Sequence, residues 1–334
     1  MFVIRLSLAI TAVCKKARMA VFVALISAWL ALPIAAQAAE SLTLIQPPGG
    51  TDLDQAILPP PGVYGVAVLI PYNKNDHYYD GSGRKVSSEN NVVLSVPIIA
   101  AGLLYSYPFE VFGGRIASSF TVAAYDMDYE LPGNTKGRTR GVADAYADVF
   151  YWTKNLGLMG VTPGELPLSY GLNLGVGLGL RVPMGKYSED QPVNPGNNVW
   201  IPIPNVALTY VTGPNMSFGD ATELSARIFY GIPQENPDTD YKSGQIFNMD
   251  FSAVQRFGML RMGIAGSYQT QTTGDEPPSG GFDRGKTSFA NIGPIVDYTF
   301  PQAGVQLKAK FTFSMNPKNT TDANVFTLSA AKRF

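Results

Sequence analysis

Along much of the chain, apolar and polar residues alternate with a period of two. In residues 305–314, Val305, Leu307, Ala309, Phe311 and Phe313 fall on one side, opposite Gln306, Lys308, Lys310, Thr312 and Ser314. A helix would scatter those lysines around its axis; a strand gathers them into one row. The same pattern sets Phe326, Leu328, Ala330 and Phe334 against Thr327, Ser329, Ala331 and Arg333. It sets Leu224, Ala226, Ile228 and Tyr230 against Glu223, Ser225 and Arg227, and Leu260, Met262, Ile264 and Tyr268 against Arg261, Ser267, Gln269 and Gln271. Phe247, Met249, Phe251 and Ala253 oppose Asn248, Asp250, Ser252 and Arg256. In 171–182 every second residue from Leu172 to Val182 is aliphatic, while Gly171, Asn173, Gly175, Gly177, Gly179 and Arg181 occupy the other face. Glycines so placed weaken an ordinary strand, but inside a barrel they leave lumen space or permit tight curvature. The Gly-x-Gly runs are no phosphate loop, because no helix follows them.

Twelve such segments are predicted, centred near residues 67, 97, 119, 148, 176, 206, 226, 251, 266, 295, 309 and 329. Segments 62–72 and 92–104 are apolar on both faces, which leaves their register open. Long polar connections over 73–89, 126–141, 183–198, 232–244, 273–287 and 316–322 alternate with short links such as 257–259 and 301–303. Outer-membrane barrels have long external loops and short periplasmic turns. An even strand count puts every long loop on one side and both termini on the other. Only the link at 155–167 is long for its side. The expected fold is all-β: a closed, up-and-down transmembrane antiparallel β-barrel of about twelve strands over residues 62–334, because only helices and closed barrels satisfy their backbone groups in lipid. Tyr72, Tyr105, Tyr107, Tyr151, Trp152, Tyr210, Tyr298 and Phe300 lie near strand ends and suit the two membrane interfaces.

Residues 1–38 read as a signal peptide. Lys15, Lys16 and Arg18 precede an apolar run from Met19 to Ala36, and Ala36-Gln37-Ala38 is a small-x-small cleavage site. The competing readings are an uncleaved anchor and, at Cys14, a lipoprotein site with a poor lipobox. Export implies the outer membrane of a Gram-negative cell. Residues 39–61 carry Pro47-Pro48-Gly49-Gly50 and Pro59-Pro60-Pro61 and cannot form a strand; they are a periplasmic tail or a plug inside the bore.

Composition narrows the function classes. Charged residues are 15 % of the 334, against roughly 25 % in soluble domains. A net charge of −1 excludes a nucleic-acid partner, whose binding needs a basic face. The single cysteine, Cys14, lies in the leader, so thiol catalysis and Cys–zinc sites are not expected. The single histidine, His77, lies in the loop Asn75-Asp-His-Tyr-Tyr-Asp-Gly81, where a solvated side chain is expected rather than a catalytic one. Asp76 and Asp80 lack the spacing of a calcium loop. No cofactor, metal or enzymatic activity is expected.

Several stretches resemble the family associated with the MetA-pathway of phenol degradation. They are Leu58-Pro-Pro-Pro-Gly-Val-Tyr64, Gly141-Val-Ala-Asp-Ala-Tyr146, Asn205-Val-Ala-Leu-Thr-Tyr210, Asn236-Pro-Asp-Thr-Asp-Tyr-Lys-Ser-Gly244, Tyr268-Gln-Thr-Gln-Thr-Thr-Gly-Asp275 and Ile292-Gly-Pro-Ile-Val-Asp-Tyr298, with a closing strand ending Arg-Phe. The resemblance runs from about residue 58 to the C-terminus; an added Thr before Gly274 and the 155–167 link depart from it. It implies an outer-membrane barrel passing aromatic or other hydrophobic compounds.

If the apolar faces meet lipid, the opposite faces line the lumen. Asp144, Asp148, Arg181, Glu223, Arg227, Asp250, Arg256, Arg261, Asp297, Lys308, Lys310 and Arg333 are then expected inside. Both signs occur, so the expectation is a cross-linked lumen with a modest field rather than an ion-selective ring. The functional expectation is passive diffusion of small hydrophobic solutes, aromatic compounds among them. The alternatives are a structural or adhesive barrel with a closed lumen, acting through its external loops, and a barrel hydrolase using His77. The expected partners are outer-membrane lipid, the solute, and the barrel-assembly machinery, which would engage the last strand at Phe334.

Overall fold

In a computed structural model, residues 44–214, 216, 218–278 and 285–334 are described. The leader, with Cys14 and the cleavage site, lies outside the described residues. Twelve long strands form the wall: β1 Gly62–Asn75, β2 Ile98–Val111, β3 Gly114–Leu131, β4 Ala145–Asn155, β5 Gly171–Val182 and β6 Ile201–Val211. They continue as β7 Ala221–Gly231, β8 Ile246–Phe257, β9 Leu260–Gln271, β10 Ser288–Phe300, β11 Val305–Lys318 and β12 Asn324–Arg333. Each pairs antiparallel with its neighbour in sequence. The cylinder closes where β1 meets β12, from Tyr64 opposite Arg333 to Lys74 opposite Asn324. Closure leaves no wall strand with a free edge, as lipid requires.

The strand count and the sidedness of the loops agree with the alternation pattern. Both termini of the barrel and the links 112–113, 156–170, 212–220, 258–259 and 301–304 share one end, here the inner end. The remaining connections share the other, outer end, and most are long; the inner link 156–170 is the exception on its side. Outward positions carry Ile99, Leu103, Leu208, Leu224, Ile264, Leu307 and Phe313, all exposed, with Ile99 at 62 %. This belt has no water-compatible reading on a closed barrel; it is the surface that lipid covers. Aromatic rings cluster at its margins. Tyr105 meets Tyr107 at 4.8 Å and Tyr298 meets Phe300 at 4.6 Å near the inner end, and Tyr72 meets Phe311 at 6.2 Å on the outer side.

Three expectations need correction. The second strand does not occupy 92–104: after a short strand Val93–Ser95, Pro97 interrupts, and β2 runs from Ile98 to Val111. Residues 126–141 are not an irregular loop. β3 continues to Leu131, and Thr135–Val142 folds back on it from Leu131 opposite Thr135 to Ala124 opposite Val142. This hairpin is held by charge pairs across the strands: Arg138 and Arg140 on Asp126 at 2.6 and 2.8 Å, and Lys136 on Glu130 at 3.0 Å. The returning strand has only Thr and Gly opposite its Lys and Arg, so apolar alternation does not reveal it, whereas the β3 extension alternates, with Met127 and Leu131 buried. Tyr151, expected at an interface, is instead inside the barrel and 5 % exposed.

The glycine face of β5 now has a physical account. A Cβ at Gly175 would come within 2.2 Å of the Tyr151 hydroxyl, one at Gly177 within 2.6 Å of its ring, and one at Gly179 within 2.8 Å of the Tyr146 hydroxyl. The glycines therefore receive two tyrosines of β4 rather than leaving open bore. Gly175→Val is expected to lower stability by about 1–3 kcal/mol through overpacking. The readout is the temperature at which the folded barrel loses its faster electrophoretic migration; an unchanged temperature would refute the packing role.

Candidate functional site

Residues 44–61 thread the barrel from the outer mouth to the start of β1. The positive φ of Gly49 (85°) and Gly50 (76°) bends the segment inside the bore, where a side chain at Gly50 would meet the Lys310 ammonium 3.3 Å away. The wall grips this strap mainly by its backbone. Strap N–H groups donate to the wall: Thr51 to Asp250 (2.9 Å), Asp54 to Glu223 (2.8 Å), Gln55 to Ser225 (3.1 Å), Ala56 to Thr209 (3.0 Å) and Leu58 to Thr153 (3.4 Å). Strap carbonyls accept from it: Gln46 from Arg181 (2.6 Å), Gly49 from Lys310 (2.9 Å), Asp52 from Ser252 (2.6 Å) and Gln55 from the Tyr151 hydroxyl. Nearer the inner end, Leu58 accepts from Arg115 (3.2 Å), Pro59 from Ser106 (3.0 Å) and Pro61 from Arg333 (2.8 Å).

Two strap carboxylates anchor it ionically. Asp52, 1 % exposed, bridges Lys308 at 2.7 Å and Lys310 at 2.6 Å. Asp54 pairs with Arg261, which also holds Glu223 at 3.0 Å and Asp297 at 2.8 Å; Arg256 stands 3.7 Å from Glu223. A second group sits beside it: Arg227 binds Asp148 at 2.7 Å and Asn205 at 3.0 Å, and lies 4.1 Å from the centre of the Tyr151 ring. Opposite charges neutralise one another here, and no described ring of one sign lines the bore.

The twelve sequence-selected residues fall into three places. Asp148, Glu223, Arg227, Asp250, Arg256, Arg261, Asp297, Lys308 and Lys310 lie together around the strap. Arg333 sits at the inner rim on Pro61. Asp144 and Arg181 belong to the outer mouth. There, Asp144 clamps the 183–200 connection by accepting from Gly185 N–H at 3.0 Å and Asn197 N–H at 2.7 Å. Burial raises the Asp144 carboxyl above its ordinary value, while those two N–H groups and Arg181 pull the other way. Asp144→Ala is expected to free that connection, at a cost of about 1–3 kcal/mol for the N–H groups left without acceptors. Faster surface proteolysis between residues 183 and 200 would register it; unchanged cleavage would count against the clamp.

Sequence reasoning missed the residues that complete the mouth. A cavity of about 220 Å3 opens there, lined by Leu44 of the strap, Leu94, Tyr125, Met127, Val193 and Ile201, with Asp144 and Arg181 among its walls. Just inside it, Ile45 packs with Tyr146, Ile201, Ile203, Phe229 and Ile246. The signal available was the apolar pair Leu44-Ile45, one of several apolar positions, with Leu53 and Ile57-Leu58, in the proline-rich segment before the barrel. The long inner link also gains a role: Val161 and Tyr170 pack with Val211 and Ala221 beside Ile57 of the strap. At the outer rim His77 is not simply solvated. Its Nδ1 lies 3.1 Å from Asp322, whose other oxygen accepts from the N–H groups of Asp76 and His77, so it ties the connection after β1 to the one before β12. Asp80 accepts from the N–H groups of Ser82 and Arg84 within its own turn.

A closed twelve-strand cylinder with an apolar outer belt and a polar, strap-crossed interior is a transmembrane barrel of the outer-membrane class. The chain belongs to the family described as "Putative MetA-pathway of phenol degradation", whose model matches residues 74–330. Among solved structures it is similar to the COG4313 outer membrane channel from Pseudomonas putida F1, with a TM-score of 0.71 at 16 % identity over 84 % of this chain and 98 % of that one. It is also similar to the transport unit of the autotransporter AIDA-I from Escherichia coli, with a TM-score of 0.51 at 12 % identity over 90 % of this chain and 96 % of that one. These likenesses concern the fold. No curated protein matches the sequence.

Proposed function

We propose that this protein is an outer-membrane channel of a Gram-negative cell that passes small, weakly polar, aromatic compounds by passive diffusion. The observation that carries the reading is the apolar cavity of about 220 Å3 at the outer mouth, set directly above a narrow, charge-balanced bore. A mouth of that lining gathers apolar solutes from dilute solution, since it removes their surface from water. A bore without a net field favours neither ion sign strongly. The family, described by phenol degradation, and the P. putida protein, described as an outer membrane channel, support the same reading. Export by a cleaved leader and insertion by the barrel-assembly machinery through the strand ending in Phe334 belong with it. That residue's N–H donates to the Val63 carbonyl at 2.9 Å, closing the wall.

Uptake tests it. A strain lacking the protein should take up a limiting aromatic compound more slowly than its parent, and equal rates would overturn the proposal. A second reading is favoured by the strap itself: a structural barrel acting through its outer loops. Planar-bilayer recordings separate the two, because a permanently occupied bore gives no discrete conductance steps.

A further inference from the structure

Arg181 is the one charged side chain in the mouth cavity that the described residues leave incompletely answered. It is 6 % exposed, and it lines the cavity. Its Nη1 donates to the Asp144 carbonyl at 3.1 Å and its Nη2 to the Gln46 carbonyl at 2.6 Å, which uses one N–H of each and leaves the second, and its guanidinium lies 5.8 Å from the centre of the Tyr146 ring. No described carboxylate lies within 4 Å of its guanidinium. Asp144 is the acid that shares the cavity with it, but both its oxygens are engaged by Gly185 and Asn197. Arg227 and Arg261, the most buried of the strap-level arginines, are by contrast each bound to a carboxylate at 2.7–3.0 Å. A buried cation is costly unless it is paired and fully hydrogen-bonded. A guanidinium presents a planar fork that fits a carboxylate on two parallel N–H donors.

The remaining walls specify the rest of the ligand. Leu94, Met127, Val193 and Ile201 are aliphatic or thioether surfaces, Tyr125 adds an aromatic side chain, and Asn194, Asn319 and Thr321 border them. A volume of about 220 Å3 is below the roughly 300 Å3 at which pockets for drug-sized molecules begin, so it suits a single ring.

We propose that the outer-mouth cavity is a capture site for monoaromatic carboxylates, with the ring held by Leu94, Tyr125, Met127 and Val193 and the carboxylate read by Arg181. This rests on the channel reading and revises its solute from a weakly polar ring to one that carries an anionic oxygen group. Arg181 also joins the site to the strap, through Gln46, so the captured solute and the top of the strap share one side chain.

Equilibrium binding to the full-length protein in detergent, with benzoate, phenol and toluene as probes, tests the assignment. The native protein should bind benzoate at least tenfold more tightly than toluene. Arg181→Gln should lower that ratio at least tenfold. Val193→Trp, which fills the cavity and keeps Arg181, should abolish saturable benzoate binding. Heat-dependent electrophoretic migration verifies that each variant is a folded barrel, and should Arg181→Gln fail that check, Val193→Trp carries the decision. A native benzoate-to-toluene ratio near one, a ratio unmoved by Arg181→Gln, tighter binding of phenol than of benzoate, or benzoate binding that survives Val193→Trp would each overturn it. Failure of the channel reading appears elsewhere, as an absence of conductance steps in bilayers whatever the binding results.

Discussion

Deleting residues 44–58 is expected to raise the single-channel conductance of the barrel several-fold in planar bilayers. The strap crosses the bore and engages side chains of β2, β3, β4, β5, β6, β7, β8, β11 and β12, so it fills space that solutes would otherwise use. A milder variant isolates the cause from misfolding. Asp52→Asn leaves Lys308 and Lys310 facing one another without their shared carboxylate, and breaking a buried pair in this way costs about 3–5 kcal/mol. Its strap should leave the bore part of the time, seen as flickering between a low and a high conductance level. If neither variant conducts differently from the native protein, the resistance of the pore lies in the outer loops and not in the strap.

Arg261→Met should be the most destabilising single change in the wall. Arg261 is the common partner of Asp54, Glu223 and Asp297, and its side chain is 2 % exposed. Without it, three carboxylates share a site with only Arg256, at 3.7 Å from Glu223, to answer them. A loss of about 3–5 kcal/mol follows from burying charge without a partner. Removing one acid as well, as in Arg261→Met with Asp297→Leu, should recover part of that loss, because the two effects are coupled rather than additive. Unfolding temperatures of the two variants decide it: a double variant no more stable than the single one would show that the cluster does not act as a unit.

The barrel is legible in the sequence wherever one face meets lipid. β7 to β12 could be placed from alternation alone, since a shift of one residue would turn Leu224 and Ile228 inward and Glu223 and Arg227 into hydrocarbon. Legibility fails for two physical reasons. The strand that returns along β3 sets Thr135, Gly137, Thr139 and Gly141 against Lys136, Arg138 and Arg140, so apolar periodicity carries no signal there, although the β3 extension itself sets Met127, Tyr129 and Leu131 against Asp126, Asp128 and Glu130. Around β2 both faces are apolar, so Pro97 and not the pattern decides where the strand begins. Inward charges could be named from the pattern, but not their partners. Nothing in Lys308 or Lys310 points to Asp52, more than two hundred and fifty residues earlier, because only closure of the cylinder brings them together. The strap is harder still: its proline content excludes a strand but says nothing of where the segment lies, and Gly175, Gly177 and Gly179 look like empty bore until Tyr146 and Tyr151 are seen to fill it.

Most of the grip on residues 44–61 falls on carbonyl groups, which every amino acid possesses, and on N–H groups, which every one but proline does. A relative could therefore replace most of this stretch, keep an acid opposite its paired lysines and another opposite its arginine, and still lay its strap along the same path. Family-level matching begins only at residue 74. Sequence comparison would then pass over such a segment as divergent, although the architecture that receives it is written into the wall.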